Sequence, residues 1–145
     1  MYPTPEVTAL IDQHFVPVRI HIKEQPRMWH RFGINWTPTV MVLSPEGDEV
    51  RRTEGFLPAD ELLGQLRLAL GRLAVKKKDW AAAERWFAEA AEASGTDAGP
   101  EGQYWAGVAR YSATHDAKEL AKINRRFGER YQNTSWAKRA SIWSG

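Results

Sequence analysis

Two kinds of periodicity divide this chain, and the division limits what it can fold into. Between residues 16 and 54 apolar residues recur in short runs with the spacing of strands. After Ala74 every apolar stripe has helical spacing. Such a chain must build a small sheet early and bury the remainder as packed helices.

The first half predicts alternating elements. PTPEVTALIDQHF reads as a helix, with Thr4 as N-cap, Pro5 at the first helical position, and Val7, Leu10 and Ile11 on one face. FVPVRIHI switches to period two: Val16, Val18, Ile20 and Ile22 point one way, Pro17, Arg19 and His21 the other, which predicts a strand. QPRMWHRFG predicts a short helix closed by Gly33. PTVMVL is apolar at nearly every position, which predicts a strand covered on both faces. SPEGDEV is a turn, because Pro45 presets its φ and Gly47 supplies a positive one. EVRRTEG is a charged strand suited to a sheet edge. LPADELLGQLRLALGRLA predicts a helix with Leu62, Leu66, Leu70 and Leu73 as its buried stripe. The order is an α/β pattern that ends in a hairpin.

The second half predicts helices alone. KKKDWAAAERWFAEAAEAS has Asp79 as N-cap and Trp80, Ala83, Phe87 and Ala90 on one face, with Trp86 beside them. After a break at Gly95, PEGQYWAGVARYSA sets Tyr104, Trp105 and Val108 along one side. HDAKELAKINRRFGERY spaces Leu120, Ile123, Phe127 and Tyr131, and TSWAKRASIW spaces Trp136, Ala140 and Trp143 behind a Thr134 or Ser135 cap.

Several functions are excluded or unsupported. The 145 residues contain no cysteine, so they hold no disulfide and cannot catalyse thiol chemistry. His14, His21, His30 and His115 have no metal-type spacing, so no metal site is expected. No glycine-rich phosphate loop is present, no serine has a base motif, and no cofactor is expected. No apolar run is long enough to span a membrane and no signal peptide is visible, which sets a cytoplasmic expectation with no membrane partner. Residues 115–145 carry 7 Lys/Arg against 3 Asp/Glu. Lys118, Lys122, Arg125, Arg126 and Arg130 recur at helical spacing with acids between them, which favours a solvated face over a nucleic-acid partner.

The segments YPTPEV, FVPVRI, RFGINWTPTVMVLSPEGDEV and EGFLPADELL, in that order, resemble the later part of a thioredoxin-like domain. The resemblance implies that Pro38 is the family's cis-proline, that Thr37 presents backbone groups to an extended substrate segment, and that Trp36 walls the groove. His30, on the short helix before them, would border it. The resemblance departs at its start. The family's central strand and Cys-x-x-Cys helix would precede Met1-Tyr2-Pro3, and the strand would lie between FVPVRIHI and PTVMVL. Two accounts are open. One is a truncated sequence, the favoured account; the other is a non-redox domain whose slot accepts a strand from a partner or from a second copy, giving a homodimer.

Leu70, Gly71, Ala83, Phe87 and Ala90 fall at the spacing of the tetratricopeptide repeat, and residues 67–142 resemble that helix-pair array. The resemblance implies a surface for proteins or peptides, lined by Trp86, Trp105, Trp136 and Trp143. Packing between helices is the other reading of these tryptophans and takes precedence for most of them, since only about two repeats are present.

The expected fold is therefore α/β: an incomplete thioredoxin-like sheet in residues 1–73, then tetratricopeptide-like helices in residues 74–145, with a shared helix over about residues 60–73. The expected function is a non-catalytic protein-interaction module. The alternative is a thiol–disulfide oxidoreductase whose cysteines lie upstream of Met1.

Overall fold

The computed structural model describes residues 4–145; Met1, Tyr2 and Pro3, the last two part of the YPTPEV motif, lie outside the described residues. The elements run α1 (Pro5–His14), α2 (Pro26–Arg31), β1 (Thr39–Leu43), β2 (Glu49–Glu54), α3 (Ala59–Lys76), α4 (Trp80–Ala91), α5 (Ala98–Thr114), α6 (Lys118–Glu129) and α7 (Ser135–Ala140), with a final 3-10 turn at Ser141–Trp143. They form two compact units, one ending at Leu63 and one running from Gly64 to Gly145, so the division falls inside α3.

In the first unit, α1 begins where the sequence places it. Thr4 Oγ1 accepts a hydrogen bond from the Val7 amide at 3.3 Å, satisfying one of the unpaired donors of the first turn. Val7 is fully buried. β1 and β2 pair antiparallel, with Thr39 opposite Glu54 and Val42 opposite Arg51, and the register shifts between Val42 and Leu43. The turn between them is closed by the Ser44 amide donating to the Asp48 carbonyl at 2.8 Å and the Asp48 amide donating to Ser44 Oγ at 3.1 Å. Gly47 has φ +92°, a conformation that a Cβ would disfavour.

Two expectations fail here. Residues 15–21 form no strand, and Val16 and Val18 are 90% and 77% exposed. A strand holds its form through a ladder of backbone hydrogen bonds, and among the described residues nothing pairs with this segment. For the same reason β1 is not covered on both faces: the sheet has two strands, Val42 is buried, and Leu43 is exposed. The stripe expected on α3 is also broader than four leucines. Leu62, Leu63, Leu66, Leu68, Ala69, Leu70 and Ala74 are buried, while Leu73 is half-buried.

The second unit is helical throughout. Asp79 Oδ1 caps α4 by accepting from the Ala82 amide at 3.1 Å, and Thr134 Oγ1 caps α7 by accepting from the Ala137 amide at 3.1 Å. One core cluster joins Leu68, Ala74, Ala83, Phe87, Ala90, Ala98, Ala106 and Ala109. Its small residues let helix backbones approach closely. A Cβ added at Gly71 would lie well inside contact distance of the Phe87 ring, and one at Gly107 would collide with Ile123. Each glycine meets the bulky residue sixteen positions later, and the two contacts recur 36 positions apart. In α5 the deepest residues are accordingly small, among them Ala98, Gly102, Ala106 and Gly107, while Tyr104, Trp105, Val108 and Tyr111 are half-buried.

A second cluster joins Ile123, Phe127 and Ala140, with Tyr104, Val108, Leu120, Tyr131, Trp136 and Trp143 against it. α6 stops at Glu129, so Tyr131 lies beyond it, at φ +67°. The Tyr131 hydroxyl donates to the Ala91 carbonyl, and partial burial raises its pKa above the usual phenol value. No helix among the described residues is long and apolar enough to cross a membrane.

Candidate functional site: the Trp36–Pro38 edge

Trp36, Thr37 and Pro38 lie between the end of α2 and the start of β1. α2 is six residues long, and Gly33 ends it at φ +61°, its amide donating to the His30 carbonyl at 3.2 Å. Arg52, on β2, then fixes the chain beyond the helix. Its guanidinium donates to the Gly33 carbonyl at 3.1 Å and to the Phe32 carbonyl, and it also bonds the Glu49 carboxylate at 2.6 Å. The Glu49 hydrogen bond raises the Arg52 pKa still further above its ordinary high value. Thr39 Oγ1 donates to the Trp36 carbonyl at 2.6 Å, and the Gly55 amide donates to the Pro38 carbonyl at 2.7 Å. The Thr37–Pro38 peptide bond is cis.

Held in this way, Trp36 is 66% exposed, Thr37 is exposed and Pro38 is half-buried. The next residue after Gly55, Phe56, is 69% exposed. β1 pairs only with β2 among the described residues, so its other edge carries no strand. The chain thus carries an exposed aromatic side chain shortly before a strand whose second edge has no strand partner among the described residues. His30 is exposed on α2, and among the described residues its ring makes no hydrogen bond or ring contact with Trp36, Thr37 or Pro38.

The helical tryptophans divide differently. Tyr104 stacks on Trp143 with centroids 5.6 Å apart and lies 5.1 Å from Trp105 and 5.2 Å from Trp136. Trp105 and Trp136 meet at 5.9 Å. Two arginines cap this group: Arg72 lies 4.2 Å over Trp105 and Arg139 3.9 Å over Trp136. Trp86 is half-buried on α4. The basic row is partly paired, with Lys122 bonding Glu119 at 2.9 Å and Arg130 facing Glu92 at 3.7 Å. Among the described residues no cluster of His, Asp or Glu could hold a metal ion.

Sequence reasoning missed Arg52, Arg72, Arg139 and the central place of Tyr104. Arg139 was within reach, since it follows Trp136 by three positions on a helix. Arg52 gives no such signal, because its carbonyl partners are 19 and 20 residues away.

Comparison with known proteins bears on the first of these regions. Residues 2–70 match the thioredoxin-like domain family. The first part of the chain is thus a thioredoxin-like domain, and an all-helical region follows it. A relative is the SPbeta prophage-derived thioredoxin-like protein YosR of Bacillus subtilis (strain 168), 40% identical over 50 residues, which cover 33% of this chain and 62% of YosR. The chain thus spans less than two thirds of that curated relative's length. No solved structure matches the chain.

Proposed function

We propose that this chain is a non-catalytic protein-interaction module that docks an extended peptide segment at the Trp36–Thr37–Pro38 edge. The observation that carries the reading is Trp36 itself. A tryptophan 66% exposed beside an unpaired strand edge costs solvation unless something covers it. The exposed apolar row of Val16, Val18, Ile20 and Ile22 supports the same reading, since it has strand periodicity and lacks a strand partner among the described residues. A second copy of the chain is one source of such a segment. Light scattering tests that source: a mass of twice the monomer that dissociates on dilution supports it, and a stable monomer at all concentrations removes it.

The helical unit we read as tetratricopeptide-like, with its exposed faces as the second contact region. The paired glycine contacts that recur after 36 residues support a helix-hairpin repeat close to the 34-residue period. The docking reading is tested by peptide arrays on the intact chain, compared with Trp36→Ala. Loss of captured extended peptides with an unchanged melting curve supports it; identical capture by both proteins contradicts it.

A second reading follows from the thioredoxin-like match: a thiol–disulfide oxidoreductase whose cysteine pair lies upstream of Met1. That chemistry needs a thiolate to attack a disulfide, and the 145 residues hold none. In that protein Pro38 and Trp36 would shape the substrate groove. Disulfide reduction by the 145-residue chain is then expected at the blank rate.

A further inference from the structure

β1 has the composition of a central strand and the position of an edge strand. TVMVL is apolar at every position after its threonine, the kind of run that fits between two neighbours. β2, EVRRTE, is charged in the manner of an edge. Yet among the described residues β1 pairs with β2 alone. A lone two-stranded ribbon is marginally stable in water, and a third strand relieves this.

Hydrogen bonds at its two ends show how β1 is turned. The Gly55 amide donates to the Pro38 carbonyl at 2.7 Å and the Ser44 amide to the Asp48 carbonyl at 2.8 Å, so positions 38 and 44 face β2. Backbone direction alternates along a strand, so Thr39, Met41 and Leu43 turn their N–H and C=O groups to the unoccupied edge.

The same compact unit holds a run of strand periodicity that pairs with nothing. Val16, Val18 and Ile20 make no backbone hydrogen bond among the described residues, and Val16 and Val18 are 90% and 77% exposed. Drawn into a strand, this run has one complete edge. On the other edge Pro17 has no N–H, and the His21 carbonyl already accepts from the Glu24 and Gln25 amides at 3.1 Å and 2.8 Å. Val16, Val18 and Ile20 keep both groups on the complete edge, at the same two-residue spacing as Thr39, Met41 and Leu43. Residues 16–20 also equal β1 in length.

We infer that residues 16–20 of one copy add to the open edge of β1 in a second copy, and that the exchange is reciprocal. Each chain carries one donor run and one acceptor edge, so a two-fold pair closes with neither left over. In each sheet β1 then becomes central, as its sequence suits, and the exposed valines gain cover. The inference rests on the reading of this region as a peptide-docking edge and names its occupant.

The test uses the intact 145-residue chain and two matched variants, Val18→Pro and Arg19→Pro. Each adds one proline to the same exposed segment, but only Val18→Pro deletes an N–H from the pairing edge. Sedimentation equilibrium of the parent should show a monomer in exchange with a dimer. Val18→Pro should raise the dissociation constant about a hundredfold, roughly tenfold for the hydrogen bond unmade at each of two junctions. Arg19→Pro should change it much less. A second measurement needs no proline. Arg19→Cys places a nitroxide on a chain otherwise free of cysteine, and this chain is mixed with isotope-labelled parent. The amides of Thr39–Leu43 in the isotope-labelled copy should broaden. A parent that stays monomeric at all concentrations, equal effects of the two prolines, or unbroadened β1 amides in the mixture would overturn the inference. If extended peptides are then still captured through Trp36, the docking reading stands and only its occupant is wrong; if capture is absent too, the docking reading fails with it.

Discussion

Arg52 donates a hydrogen bond to the Gly33 carbonyl oxygen at 3.1 Å, and so ties a β2 side chain to the backbone that ends α2. The same guanidinium bonds the Phe32 carbonyl and Glu49. The segment that carries Trp36 leaves from this clamp. Arg52→Ala should therefore weaken peptide capture at Trp36 and speed amide exchange at Ile34, whose amide is bonded to the Trp29 carbonyl at 3.1 Å. Arg52→Lys should fall between, because an ammonium lacks the fork that reaches two carbonyls and a carboxylate. Hydrogen exchange by NMR reads both variants. Unchanged protection at Ile34 in Arg52→Ala would remove the clamp from the account.

The glycine contacts in the helical unit make a sharper stability prediction. A methyl group at Gly71 would press on the Phe87 ring, and one at Gly107 on Ile123. Both sites are buried, so neighbouring side chains must shift. Gly71→Ala and Gly107→Ala should each cost about 1–3 kcal/mol, the usual range for overpacking a core. Adding Phe87→Leu to Gly71→Ala should cost less than the two single changes together, since the smaller side chain relieves the clash. Urea denaturation of the four proteins measures this.

Helix caps supply a smaller effect of known sign. Asp79→Ala and Thr134→Ala each remove a side-chain oxygen that accepts from a first-turn amide. Each should lower stability by about 1 kcal/mol. Asp79→Asn should cost much less, because the amide oxygen accepts equally well.

Acid should loosen the contact between α5 and α6. Glu119 bonds Lys122 at 2.9 Å and lies 3.4 Å from Arg110, which also faces Glu84 at 3.4 Å. The Lys122 hydrogen bond, with the charges of Lys122 and Arg110, holds the Glu119 pKa below the ordinary carboxylate value despite some desolvation. A carboxylate of this kind stabilises the fold fully above its unfolded pKa, and the contribution is lost as pH falls through the lower folded value. Thermal melts from neutral pH down to pH 3 should show this loss, and Glu119→Gln should flatten the slope in the acid range. An identical slope in the variant would contradict the assignment.

Local signals carried most of the fold. Thr4 and Asp79 are caps in the sequence and caps in the structure, and of the two candidates Thr134 and Ser135 it is Thr134 that caps α7. The hairpin was legible because Pro45 and Gly47 demand a turn between two strand-forming runs. The failure at residues 16–22 is equally instructive. The alternation of Val16, Val18, Ile20 and Ile22 records a preference for strand, but a strand also needs a neighbour, and periodicity does not report one. At the candidate site, Trp36, Thr37 and Pro38 stood out by their resemblance to the thioredoxin-like family, whereas the Arg52 clamp depends on long-range contact and left no trace in local spacing. In the helical unit the ring cluster of Trp105 and Trp136 agrees with packing; Arg139 caps Trp136 from three positions along the same helix, whereas Arg72 reaches Trp105 only when α3 and α5 come together.

The central claim is that the Trp36–Pro38 edge and the open side of β1 receive an extended peptide. The most direct measurement is an amide NMR titration of the intact chain with a peptide selected on it, read residue by residue. The account predicts that shifts concentrate at Trp36, Thr37 and Thr39–Leu43, and that the β1 amides gain protection from exchange. Shifts confined to other surfaces, with Trp36 and the β1 amides unmoved, would contradict it.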